Sequence, residues 1–250
     1  MAKFDLGDWV RHRKKRHRGV VCGHRNRSVL VRWAGTQKAE PWGSRSLIAC
    51  DPPRALVMEG TLDDDLESTR SEEGLLRNWL GANHIPVAYK SILTLADIQV
   101  IGRSIGAHRP AFVHISCHGA YDDDWRAYLR FAPGKRKSDQ IYLDDDQTLK
   151  VFREAFQGLP LLFSACLLGK YQDAITAFAK TARLAAVAAF SREVEDSEAM
   201  LFALLLYQGV LLNSWTFRNA VDKACSALLA LGLRGAPGGG QRFVRVFPEK

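Results

Sequence analysis

The sequence predicts an α/β domain, a mostly parallel sheet flanked by helices, preceded by a small β-barrel. The first indication is charge. Residues 1–50 hold 12 Lys and Arg against 3 Asp and Glu, a net +9, whereas residues 51–250 sum to −1. That asymmetry separates two modules with different partners. The second is the text of residues 4–50, short β-rich runs such as "GVVC" and "SVLVRW" punctuated by glycine and polar turns, the spacing of a small barrel. The third is the change after Asp51-Pro52-Pro53, where proline restricts both itself and its predecessor. Beyond it, apolar runs alternate with helical patterns, which implies a parallel sheet covered on both faces. The chain therefore divides into residues 1–50 and residues 51–250.

In chain order, "RALVMEG" is the first strand of the larger domain, and Ser71 to Asn83 carries Leu75, Leu76, Trp79 and Leu80 at helical spacing behind Ser71 as a cap. "VAYKSIL" follows as a strand, "TLADIQVIGRSIG" as a helix and "AFVHIS" as a strand, then "LPLLFSA", "LAAVAAF" and a final "RFVRVF". The apolar run Met200 to Leu212 is shorter than the ~20 residues of a membrane span and reads as a buried helix. No secretory signal opens the sequence, and its five cysteines are widely spaced with no CxxC pair. A reduced, cytoplasmic chain that engages no membrane is the expectation.

In an open parallel sheet the chemistry collects at the carboxyl ends of the strands. Two strands end in reactive residues. "AFVHIS" runs into Cys117-His118-Gly119, and "LPLLFSA" runs into Cys166. As neighbours, their backbones would lie ~4.8 Å apart, close enough for a thiol and an imidazole to cooperate. A nearby imidazolium favours the nucleophilic thiolate and later gives a proton to a leaving amine. A tight turn at Gly119 would aim its amide, with that of Cys166, at a developing oxyanion. Tyr121 and Asp122, directly downstream, are placed to touch a bound substrate. The plainer readings are a structural histidine and a small buried cysteine. Cys117 points to the opposite face of its strand from His118, and His114 reads as packing.

"HISCHGAY" and "LLFSACLLG" resemble the two signature segments of the CHAT-type caspase-like cysteine peptidases, in the clan of caspases, metacaspases and separase. The likeness extends over about residues 54–230, and His118 precedes Cys166 by 48 residues, close to the ~50 seen in caspases. The resemblance implies a caspase-like sheet, with His118 as general base, Cys166 as nucleophile and Gly119 as an oxyanion donor. It also implies that Asp196, in "Val194-Glu195-Asp196", lines a primary pocket for Arg or Lys; an N-cap for the following apolar helix is the other reading of Asp196. The sequence departs from the family at Arg192, where an aromatic is common, and at Leu167-Leu168, where small or polar residues are. The implied activity is an endopeptidase cleaving a partner protein after a basic residue, as an effector of bacterial defence or regulated death, with no cofactor or metal. The alternative is a catalytically inactive caspase-like adaptor.

The N-terminal module resembles Tudor-like or KOW-like barrels in outline. Its run "RHRKKRHRG" sets Arg11, Arg13, Lys14, Lys15, Arg16 and Arg18 on both sides of any strand, a footprint for phosphate that suits nucleic acid or a regulatory protein as partner. Trp9, Trp33 and Trp42 either stack on bases or a cation, or fill the barrel core. Cys22, His12, His17 and His24 lack zinc-ligand spacing.

Overall fold

The computed structural model describes residues 4–14, 18–33, 36, 38–51, 54–60, 72–105, 109–131, 140–231 and 244–248. Lys15, Arg16, His17, Pro52-Pro53 and the Ser71 cap lie outside these residues. Five short strands come first: β1 (Trp9–His12), β2 (Arg18–Arg25), β3 (Ser28–Trp33), β4 (Ala39–Gly43) and β5 (Leu47–Ala49). They form an antiparallel sheet in the order β4-β3-β2-β1-β5. Asn26, with φ of 55°, turns the β2–β3 hairpin, a conformation that asparagine tolerates better than most residues. Pro41 sits in β4 at the sheet edge, where its missing N–H breaks no ladder. The expected barrel is seen here as a sheet: among the described residues β4 and β5 do not pair with each other.

The sheet's alternation serves two cores. Val10, Val21, Val29, Val31, Trp33 and Leu47 pack with Phe4 into a core of their own. Trp9 and Val20 point the other way and join the helices of the larger domain, with the Trp9 indole N–H donating to the His84 carbonyl at 3.0 Å.

The main sheet has six strands: β6 (Ala55–Gly60), β7 (Val87–Ile92), β8 (Val113–Ser116), β12 (Pro160–Ser164), β13 (Ala186–Phe190) and β14 (Val244–Phe247). Their order is β14-β13-β12-β8-β6-β7. All neighbours are parallel except β14, which runs antiparallel at one edge. The strands are apolar on both faces because both faces are covered. Met58, Ile115, Phe163 and Val187 meet α2 (Leu95–Ile105), α3 (Asp146–Phe156) and α4 (Gln172–Thr181) on one side. Val57, Leu162, Ala188 and Phe190 meet α1 (Glu72–Ala82), α5 (Asp196–Tyr207) and α6 (Phe217–Ala230) on the other. Each fully buried Leu or Phe in these layers contributes roughly 1.5–3 kcal/mol of transfer free energy. Met200 to Leu212 is the buried helix expected, ending in a π turn over Gln208–Leu212.

A third, three-stranded sheet was not expected. It consists of β9 (His118–Tyr121), β10 (Ala127–Arg130) and β11 (Ile141–Tyr142), ordered β11-β10-β9 and antiparallel. The chain leaves the main sheet at Cys117 and enters this one at His118.

Candidate active site

The two reactive segments do come together. β8 and β12 are hydrogen-bonded parallel neighbours in the register Ser116↔Ser164, and the Cys117 N–H continues the contact to the Ser164 carbonyl at 3.2 Å. His118 and Cys166 therefore each stand two residues past a matched pair, at the same carboxyl edge. Both are half-buried as whole residues, with the His118 Nε2 itself buried.

Gly119 is not in a turn, which corrects the sequence expectation. It lies within β9, opposite Leu129. The reason for glycine is close approach. A Cβ there would stand 2.8 Å from Leu168 Cγ and 3.0 Å from both Ala165 Cβ and the Cys166 carbonyl oxygen. Any side chain would push β9 off the segment that carries Cys166.

That segment is pinned on several sides. The Leu168 N–H donates to the Cys166 carbonyl at 2.8 Å, and the Leu167 N–H donates to the Arg192 carbonyl at 3.2 Å. Leu167 adopts φ of 64° and ψ of −16°, a left-handed conformation that costs a non-glycine residue about 1 kcal/mol or more. The Cys166 thiol faces the Val194 carbonyl at 3.9 Å. Tyr121 donates its hydroxyl to the Leu168 carbonyl at 2.8 Å, and burial pushes that phenol well above its ordinary range. Its polar end thus ties β9 to the short 3-10 turn Leu168–Lys170 instead of pointing outward.

Asp122 is likewise engaged at home. Its carboxylate accepts from the Asp124 and Arg126 N–H groups at 3.1 and 2.8 Å. Although desolvation raises it, these bonds together with Tyr142 hold it below the usual carboxylate range. Arg126 in turn grips Asp144 through two bonds, at 2.9 and 2.7 Å, and Asp145 at 2.9 Å, fastening the β9–β10 hairpin to the start of α3. Asp122 organises a turn.

α5 begins at Asp196 with Glu195 in the cap position, so the cap expected at Asp196 moves back one residue. The Asp196 side chain lies outside the described residues. Close by, Arg192 pairs with Glu198 at 3.6 Å, a contact invisible in sequence because it joins the end of β13 to the first turn of α5. Trp125 and Tyr171 also escaped the sequence reading. Tyr171 contacts Tyr121 at 4.4 Å and Trp125 at 5.1 Å between ring centroids, and Trp125 is 64% exposed. The aromatic residues Tyr121 and Trp125, close together in one acidic loop segment, were the available signal.

Cys117 is buried, and burial followed by the neighbouring Cys166 pushes its thiol far up, so it stays protonated and inert. His114 is fully buried, with Nδ1 3.3 Å from the Tyr207 hydroxyl, and burial pulls its pKa down to about 3. At the other end of the molecule, Arg11, Arg13, Lys14 and Arg18 are exposed. Arg11 and Arg18 are directly paired across β1 and β2. Trp9, Trp33 and Trp42 do not form one cage: Trp33 and Trp42 meet edge to face at 5.2 Å with His12 beside them, while Trp9 packs in the other core. Among the described residues no cluster of three or more His, Cys, Asp or Glu is arranged for a metal ion, and no helix is long and apolar enough to cross a membrane.

No family model matches the chain, and no curated protein matches it. Among solved structures it is similar to a secreted C11 cysteine protease from Bacteroides thetaiotaomicron, bound to an irreversible peptide inhibitor, at 10% identity and a TM-score of 0.49. The match covers 78% of this chain and 65% of that one, so the chain spans about two thirds of that structure's length. A likeness this loose transfers neither residue roles nor activity.

Proposed function

We propose that residues 51–250 form a cysteine endopeptidase of caspase-like fold in which His118 and Cys166 act as a dyad. The observation that carries this reading is the parallel β8–β12 register, which delivers both residues to one edge with Gly119 pressed against the Cys166 backbone. In the reaction, the His118 imidazole takes the Cys166 thiol proton. The thiolate then attacks a peptide carbonyl carbon. The N–H groups of Gly119 and Cys166 stabilise the oxyanion. Collapse breaks the C–N bond as the imidazolium protonates the departing amine, leaving a thioester. Water, deprotonated by His118, hydrolyses it and restores the thiol. The CHAT-type segments in the sequence support the same assignment and a preference for Arg or Lys read by Asp196. The setting they suggest is a cytoplasmic effector of defence or regulated death acting on one partner protein.

The test is hydrolysis of a positional-scanning fluorogenic peptide library by wild type, Cys166→Ala and Asp196→Ala. Cleavage after Arg or Lys that vanishes in Cys166→Ala, and that weakens or changes preference in Asp196→Ala, is expected. A folded wild type that cleaves nothing and whose Cys166 resists an active-site electrophile sinks the peptidase reading in favour of an adaptor.

The N-terminal sheet supports a second, compatible role. Facing like charges across a strand pair are destabilising, and the Arg11–Arg18 pair has that arrangement. An anionic partner, nucleic acid or an acidic protein, would neutralise it. Salt-dependent binding lost in the Arg11→Ser, Arg18→Ser double variant checks this.

A further inference from the structure

A cleft of about 380 Å³ lies between the N-terminal sheet and the helices of the larger domain, away from Cys166. Three separate stretches build it. The sheet gives Trp9, Arg32 and Trp33, helix α1 and the turn after it give Trp79 and Asn83, and Asn213 follows the π turn after α5. Its size falls within the ~300–1,000 Å³ of small-ligand sites.

The lining has a definite chemistry. Trp9 and Trp33 are only 6% and 5% exposed, packed into two different cores, and the Trp9 indole is fixed by its bond to His84, so both are rigid and show the cleft only a small part of their surface. Trp79 is half-buried and supplies an indole from a different element. The amides of Asn83 and Asn213 add donors and acceptors; Asn83 spends one N–H on the Trp79 carbonyl at 2.8 Å. The Asn213 side-chain oxygen is buried with no hydrogen-bond partner. Buried acceptors of that kind are uncommon and ask for a donor. Among the described residues Arg32 is the one charged side chain on the lining, and no carboxylate lines it. An ammonium ligand would want the reverse. A planar heterocycle with a hydrogen-bonding edge and an attached anion satisfies indoles, amides and guanidinium together.

We propose that this cleft binds a nucleotide, its base against the indoles and amides and its phosphate toward Arg32. The nucleotide could be free or one unit of a single strand, and the same contacts serve both. This site is distinct from the exposed arginines of β1 and β2, and it does not rest on the peptidase reading.

The experiment is calorimetric titration of the full chain carrying Cys166→Ala, first with ribonucleoside monophosphates, then with a short single-stranded DNA oligomer. Trp79→Ala and Arg32→Gln are compared in the same background, and melting curves verify folding. Should Trp79→Ala fail to fold, Arg32→Gln, whose side chain is half-exposed, decides alone. Loss of a stacking indole weakens nucleotide binding by about tenfold or more, and loss of the guanidinium weakens it by about tenfold. Monophosphate binding weakened by the variants supports the cleft with a free nucleotide as ligand. Oligomer binding alone, weakened by the same variants, supports it with a strand as the source. Absence of binding to both probes overturns the proposal. So does oligomer binding that the cleft variants leave intact and that Arg11→Ser, Arg18→Ser removes.

Discussion

His114 and His118 stand four residues apart in the sequence and live in opposite environments. His114 lies mid-strand in β8, fully buried against Tyr207, and burial drives its pKa down to about 3. It is a neutral core side chain across the physiological range. His118 lies just past the strand end, half-buried, in a different sheet and beside the turn that carries Cys166. What separates a structural histidine from a candidate catalytic one here is the one-residue break at Cys117, where the chain changes sheets.

The contrast can be broken most forcefully at the strand end. His118→Ala is expected to lower kcat/KM by about 10²–10⁴-fold while shifting the melting temperature little. An activity assay paired with a melting curve checks both halves. His114→Ala should do the opposite: a cavity and the lost contact with the Tyr207 hydroxyl cost about 2–4 kcal/mol, read by urea unfolding, with activity per folded molecule unchanged. Gly119→Ala should affect both, because its Cβ strikes Leu168 and the Cys166 carbonyl. About 1–3 kcal/mol of stability should go together with a larger relative loss of kcat/KM.

Acid sharpens the comparison further. The folded pKa of His114 lies below its unfolded value of about 6.5, so the folded state binds fewer protons. Stability is unaffected above that pH and falls by about 1.4 kcal/mol for each unit below it, down to about pH 3. His114→Gln should therefore flatten the acid limb of the stability curve. The smallest effect is expected at Arg126, whose exposed pairs with Asp144 and Asp145 are screened by salt. Arg126→Ala should lower the melting temperature slightly in dilute buffer and less in concentrated salt.

The parallel sheet was legible because strands covered on both faces are apolar at every position, and "LPLLFSA" and "LAAVAAF" carry no competing pattern. The convergence of His118 and Cys166 was legible from those strand ends. The β9–β11 sheet was not: "HGAY" is too short and mixed for a period-2 signal, and its pairing with β10 is a tertiary matter. Gly119 was expected in a tight turn and lies in a strand instead, since a sequence shows that a side chain is missing but not what stands in its place. The cleft was out of reach altogether, being assembled from segments that meet only when the N-terminal sheet docks through Trp9 and Val20.

The facing arginines of β1 and β2 have an implication for how this chain would change under different demands. A lineage selected only for a durable fold would soon replace Arg11 or Arg18 with an acid, turning repulsion into attraction at no cost to the ladder. Under that pressure alone, the pair would be among the first features of the N-terminal sheet to disappear.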